Sequence, residues 1–267
     1  MEVTIMQKAF ERVLGGEYTI VIEEELSELK QSDRVLFGEP CAVLYRTDIN
    51  LGRPADECET EDKSCYIVFL PSKYGIVCNK DFGAFKSKDG SIKLVSLNYF
   101  IEKLLEFNFT FLQLVEDKAI IWETEVFHNI IKNYKILVDS DEYFKAMRFS
   151  TLTSIAISIY SDIKAGKIKD DNSCKNRLFL LYTVCEACKG IILTGKYSLD
   201  NIFNELRYNK VKSQYINSKD MSILKYDIEG IKKNHLNNDN RDKSYERLCR
   251  LELKYEIMHN LVISILS

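Results

Sequence analysis

The chain is poor in proline, histidine and tryptophan, with three, three and one among 267 residues. Pro40, Pro54 and Pro71 all stand in the first third, so nothing beyond Pro71 carries the ring that breaks a helix from within. The three histidines, His128, His235 and His259, are scattered, which leaves little material for a His-rich metal site. No run of about 18 apolar residues exists, and a membrane-spanning helix is excluded. Positive charge is not in excess either: 37 Lys+Arg stand against 40 Asp+Glu, a net of −3, which argues against a protein that coats nucleic acid. Met1–Gly16 is charged throughout and holds no apolar core of a secretory signal. A cytoplasmic protein with its eight cysteines reduced is therefore expected.

What is present divides unevenly. Met1–Asp162 carries 18 basic and 27 acidic residues, whereas Ile163–Ser267 carries 19 basic and 13 acidic. Short segments rich in Val, Ile, Tyr and Phe, namely Tyr18–Glu23, Cys41–Tyr45, Cys65–Leu70 and Gly75–Asn79, read as strands. Phe85–Lys88 and Ser91–Val95 flank Asp89-Gly90, a hairpin turn signal. A helix is expected from Ser96, because Leu97, Phe100, Ile101, Leu104 and Leu105 recur at helical period.

From Val126 onward the pattern is helical. Asp139 and Glu142 form a candidate capping box for a helix running through Phe144 and Met147 to Ile163. The next helix carries Leu178, Leu181, Tyr182, Cys185, Cys188 and Ile192 on one side and stops at Gly195. Ser198, with Asp200 behind it, reads as a further N-cap, Asn234–Asn240 as a loop, and Leu248–Ile265 as the apolar seam of a last helix. The expected architecture is α+β, with a small mixed-sheet domain over 1–123 followed by an all-helical domain over 124–267.

The order of elements between Cys41 and Val115 narrows the field. The strand and turn CAVLYRTDINLG lead into the acidic loop RPADECETED. The strand KSCYIVFLPSK, the hairpin AFKSKDGSIKLV and the helix SLNYFIEKLLEFNFTFLQLV follow. This arrangement resembles the DNA polymerase β-type nucleotidyltransferases, in particular predicted members from bacteria and phages. The downstream run KNRLFLLYTVCEACKGIILTGKYSLDNIFNEL is similar to their helical region. The resemblance implies a nucleotidyltransferase-like sheet domain, a Gly-Ser turn holding the nucleotide phosphates, and three carboxylates on neighbouring strands. Two Mg2+ ions held by such carboxylates would clamp the attacking and leaving oxygens of an in-line displacement.

Several of these positions are substituted here. Thr47-Asp48 stands where Gly-Ser is implied, with Gly52 at the later glycine. Asp48 puts a negative charge where a triphosphate would lie, a repulsion of roughly 4 kcal/mol at contact with an effective dielectric near 20. Asp62-Lys63-Ser64 replaces the acidic pair, and Ser91 stands at the third carboxylate. Asp62 is thus the one candidate catalytic residue and metal ligand. Thr47, Asp48, Gly52, Ser64 and Ser91 are the candidate nucleotide-binding positions. A two-metal mechanism does not run on one carboxylate. Asp56, Glu57, Glu59 and Glu61 could relocate a cation site beside Asp62, though a charge run is more simply a solvated loop.

Cys185-Glu-Ala-Cys188 is a lone C-x-x-C without a second pair, and core packing explains it better than zinc. The basic stretches at 207–212 and 232–235 could contact a nucleic-acid backbone, and Arg207, Lys210 and Lys212 are candidates for a basic cleft facing the acidic part. The expected function is binding by a nucleotidyltransferase-type protein that has lost its metal site, with a protein partner first and nucleotide second. High Lys, Ile and Asn usage suits an AT-rich genome and a phage-encoded modulator of a host or defence protein. The alternative is an active enzyme, with Mg2+, moving a nucleoside monophosphate from an NTP to RNA, protein or a small molecule. Self-association through the last helix is a further expectation.

Overall fold

The computed structural model describes residues 35–46, 64–78, 80–86, 92–116, 119–168, 171–199, 202–236 and 255. These gather into two compact units, one on 35–46 and 64–132 and the other on 133–236. The expected strand Tyr18–Glu23, the turn Asp89-Gly90 and, apart from the exposed Tyr255, the apolar seam of Leu248–Ile265 lie outside the described residues.

The first unit is a mixed sheet with helices. Its elements are β1 (Phe37–Arg46), β2 (Ser64–Pro71), α1 (Lys73–Cys78), β3 (Ala84–Lys86), β4 (Ile92–Ser96), α2 (Leu97–Leu105), α3 (Phe109–Leu114) and β5 (Ile120–Glu123). The spatial order is β3-β4-β2-β1-β5. β2 lies antiparallel to β1 and parallel to β4, and β3–β4 and β1–β5 are antiparallel.

The near-continuous apolar run of β2, CYIVFL, marks a strand covered on both faces, and all but one of its residues are buried. On one face Phe37, Val43, Cys65, Ile67, Phe69, Ile92 and Leu94 form a core, with Phe82, Phe85 and Trp122 packed against it. On the other face Tyr66 meets the ring of Phe111 in α3 at 6.0 Å, and Phe111 meets Phe100 of α2 at 5.3 Å. The five apolar positions expected to line α2 are the five it buries. Its N-cap is Ser96, whose hydroxyl accepts from the Tyr99 amide at 3.1 Å.

Of Gly75–Asn79, expected as a strand, Gly75–Cys78 belong to the helix α1. The Ser72 hydroxyl accepts from Gly75 N at 3.0 Å and the Ser72 carbonyl from Ile76 N at 2.9 Å. The β-branched Ile76-Val77 pair suggested a strand, but a serine directly after Pro71 starts a helical turn, and Val77 points into solvent.

The second unit is helical. α4 (Glu125–Ser140) runs from the first unit into it and is followed by α5 (Glu142–Lys164), α6 (Asp171–Thr194), α7 (Glu205–Ser218) and α8 (Ser222–Leu236). The N-cap of α5 is Asp141, not Asp139: its carboxylate accepts from Tyr143 N at 2.7 Å and Phe144 N at 3.2 Å. Asp139 belongs to α4 and pairs instead with Arg148 at 3.0 Å. α6 ends at Gly195, whose φ of 69° is the left-handed value that favours glycine there. Its apolar side is as expected except at Ile192, which is exposed.

Ser198 does not cap a helix. α7 starts later, where the Asn204 side chain accepts from Arg207 N at 3.0 Å. The expected loop at Asn234 is still helix, since α8 runs to Leu236 and the Asn234 side-chain amide donates to Gly230 O.

Candidate functional site

Of the expected phosphate and metal positions in the sheet unit, Ser64 is the one among the described residues. Thr47, Asp48, Gly52, Asp62 and Ser91 lie outside the described residues; Ser64 opens β2 and pairs with Arg46 of β1. Ser64 is buried, at 2% exposure. Alternation puts it on the same face as Tyr66, towards Phe111 and the helices, and not with Cys65 and Ile67. A buried hydroxyl donates one hydrogen bond and accepts up to two, but it supplies no negative charge to a divalent cation. Among the described residues no three His, Cys, Asp or Glu side chains converge as metal ligands; Asp62 and the acidic loop are not among those residues.

Two polar arrangements on this sheet were not visible in the sequence. Lys93 of β4 donates to the Tyr66 hydroxyl at 2.8 Å across the parallel register. The Ser96 hydroxyl, while capping α2, donates to Asp81 at 2.7 Å. Both join residues on different segments, so no spacing rule reveals them.

In the helical unit, polar chemistry concentrates where α6, α7 and α8 meet. Arg207 of α7 places Nη2 at 2.7 Å from both carboxylate oxygens of Asp227 on α8. Its Nε lies 3.3 Å from Glu186 of α6. Lys189, one helical turn after Glu186, pairs with it and also reaches to 3.5 Å from Asp227. Asp227 is the buried member, its side chain only 4% exposed. A buried carboxylate is costly unless paired, and here two cations serve two anions so that the formal charges cancel. Burial works against the Arg207 charge, but the Asp227 hydrogen bond and the two carboxylates outweigh it and hold the guanidinium above its usual range.

Aromatic rings back this network. Tyr208 of α7 is fully buried, 5.4 Å from Phe179, 5.4 Å from Tyr182 and 5.5 Å from Phe203 between ring centroids. The Tyr182 hydroxyl donates to Asn204 O at 3.2 Å and accepts from Asn204 N at 3.3 Å. Burial, with the nearby Glu186 charge, pushes its pKa up to about 12.

Of the basic-cleft residues, Arg207 and Lys210 lie one turn apart on α7, and Lys212 lies away from both. Arg207 is engaged by carboxylates. Lys210 is exposed and Lys212 half-buried, and at 100° per residue the two point roughly 200° apart around α7. Lys232 and Lys233 are exposed on α8. Glu186, Lys189 and Asp227, which decide the electrostatics of Arg207, were missed. Only Glu186–Lys189 had a signal, the i,i+3 spacing. Cys185 and Cys188 are fully buried, and burial pushes Cys188 up to about 12 and Cys185 well above the ordinary thiol range.

No family model matches the chain, and no curated protein is found similar to it. Among solved structures, it is similar to a nucleotidyltransferase-like protein from Exiguobacterium sibiricum 255-15 at 10% identity. The match covers 90% of this chain and 80% of that one with a TM-score of 0.32. A likeness of that size carries no weight for the fold or for the site.

Proposed function

We propose that this chain is a nucleotidyltransferase-type protein that works by binding rather than by transfer. A protein partner is its principal ligand and a nucleotide its second. The observation that carries this reading is Ser64: a buried hydroxyl opening the central strand at the place where the resemblance asks for a metal-binding carboxylate. Support also comes from the order of elements around it, with β2 between β1 and β4 and a Ser96-capped helix directly after the hairpin. Asp48 and Ser91 add to it from the sequence, by charge and by the missing third carboxylate. The acidic composition of the first part and the Lys, Ile and Asn usage suit a phage-encoded modulator of a host or defence protein.

Turnover assays with each NTP in Mg2+ or Mn2+ test the reading. The expected result is no pyrophosphate release, together with a nucleotide-induced rise in Tm that survives chelation. Metal-dependent pyrophosphate release that is abolished by Asp62→Ala overturns it in favour of an active transferase.

A further inference from the structure

We propose that α7 is a strap, closed onto α6 and α8 by polar clasps, which opens as a unit while α5 and α6 stay folded. The composition of the helix is the starting point. Of the 14 residues ELRYNKVKSQYINS, only Tyr208 and Val211 are buried, and Leu206 and Ile216 are exposed. Other helices of the unit are anchored differently: α8 buries Leu224, Ile228 and Ile231, and α5 buries Phe144, Met147, Phe149, Leu152, Ala156, Ile159 and Ile163. A helix with few buried apolar side chains has a low free energy of local opening.

Hydrogen bonds and ion pairs hold what apolar burial does not. Tyr182 grips both backbone groups of Asn204 just before the helix, and Arg207 joins Asp227 and Glu186 in its first turn. Near the other end the Cys174 thiol and the Tyr215 hydroxyl meet at 2.8 Å. The neutral contacts among these exchange for water at small net cost, so the Arg207 pairs and the Tyr208 ring carry most of the cost of opening. Past Ser218 the chain turns through Lys219 in the left-handed conformation, φ 51°, which ends the helix sharply and separates it from α8.

Lys189 makes the opening tolerable. It touches Glu186 and Asp227 independently of Arg207, so the buried carboxylate keeps a cation when α7 lifts away. In the closed state Arg207 is engaged by two carboxylates and the rings of Phe179 and Tyr182 are covered by Tyr208. Opening releases the guanidinium and uncovers those rings together.

Hydrogen exchange followed by mass spectrometry on the full chain tests the strap. Amides over 209–218 are expected to exchange about ten-fold or more faster than those of α5. Tyr182→Phe, which keeps the ring and removes the hydroxyl, is expected to speed α7 exchange a further three-fold or so and leave α5 unchanged. Asp227→Asn should give the same selective pattern, and if that variant does not fold, Tyr182→Phe decides. Exchange of α7 at the α5 rate, or an equal acceleration of every helix by Tyr182→Phe, overturns the proposal.

Discussion

Asp227 is the residue on which the helical unit's charges converge, and it shows how a carboxylate can sit in a core. Its side chain is 4% exposed, yet Arg207 and Lys189 stand on it from two other helices. Arg207→Ala leaves that carboxylate with one weaker partner at 3.5 Å and should cost about 2–4 kcal/mol in urea unfolding. The double variant Arg207→Met with Asp227→Leu should recover most of that loss, since it removes both charges together.

The thiols make a second case at this scale. A thiol pushed up to about 12 is ionised to roughly one part in ten thousand at pH 8, and the thiolate is the reactive form. Because burial raises the pKa, reactivity stays suppressed until the pH approaches the raised value or the chain unfolds. Iodoacetamide on the native chain at pH 8 should therefore modify exposed Cys78 and spare Cys185 and Cys188, with peptide mass spectrometry reading the sites. The burial of this pair was legible in the sequence, because both cysteines fall on the apolar stripe of one helix. The Arg207 environment was not legible, because its partners lie 21 residues before it and 20 after it, on other helices.

At the scale of elements, caps and close approaches decide where segments begin and how tightly they pair. Ser96 ends β4 and caps α2 while its hydroxyl also donates to Asp81, so it serves three segments at once. Ser96→Ala should destabilise the chain by about 1–2 kcal/mol, and Ser96→Thr by much less, measured by chemical denaturation.

Two glycines should respond in opposite directions. A Cβ on Gly38 of β1 would meet Leu70 O at 2.7 Å and Pro71 O at 2.9 Å, both backbone atoms that cannot swing aside. Gly38→Ala should cost about 1–3 kcal/mol. Gly190, inside α6 with nothing within 4 Å of its added Cβ, should gain up to about 1 kcal/mol on substitution by alanine. The β2 strand and the α2 stripe were legible because their periodicity reports burial directly. α1 was misread because local capping by Ser72 outweighed the strand preference of Ile76-Val77, and the two signals compete within six residues.

At the scale of the whole chain, the split between an acidic first part and a basic second part first suggested a charged cleft lined by Arg207, Lys210 and Lys212. Within α7, Arg207 pairs with carboxylates, and Lys210 and Lys212 point to different sides of the helix. Charge reversal at Lys210 alone should then leave NTP-induced stabilisation unchanged within error, read by thermal shift. A loss of that stabilisation would place Lys210 at the nucleotide.

By itself the sequence determined the class of structure, a mixed α/β segment followed by helices. It also determined the faces of α2 and α6 and, among the described residues, the absence of a helix long and apolar enough to cross a membrane. Those properties depend on residues a few positions apart, and period and composition record them. Only the tertiary structure decided that β2 runs parallel to β4 and antiparallel to β1, that Ser64 is buried, and that the partly exposed Arg207 pairs with carboxylates of two other helices. Each of these is a meeting between distant segments, and a side chain's charge state and reach depend on what it meets.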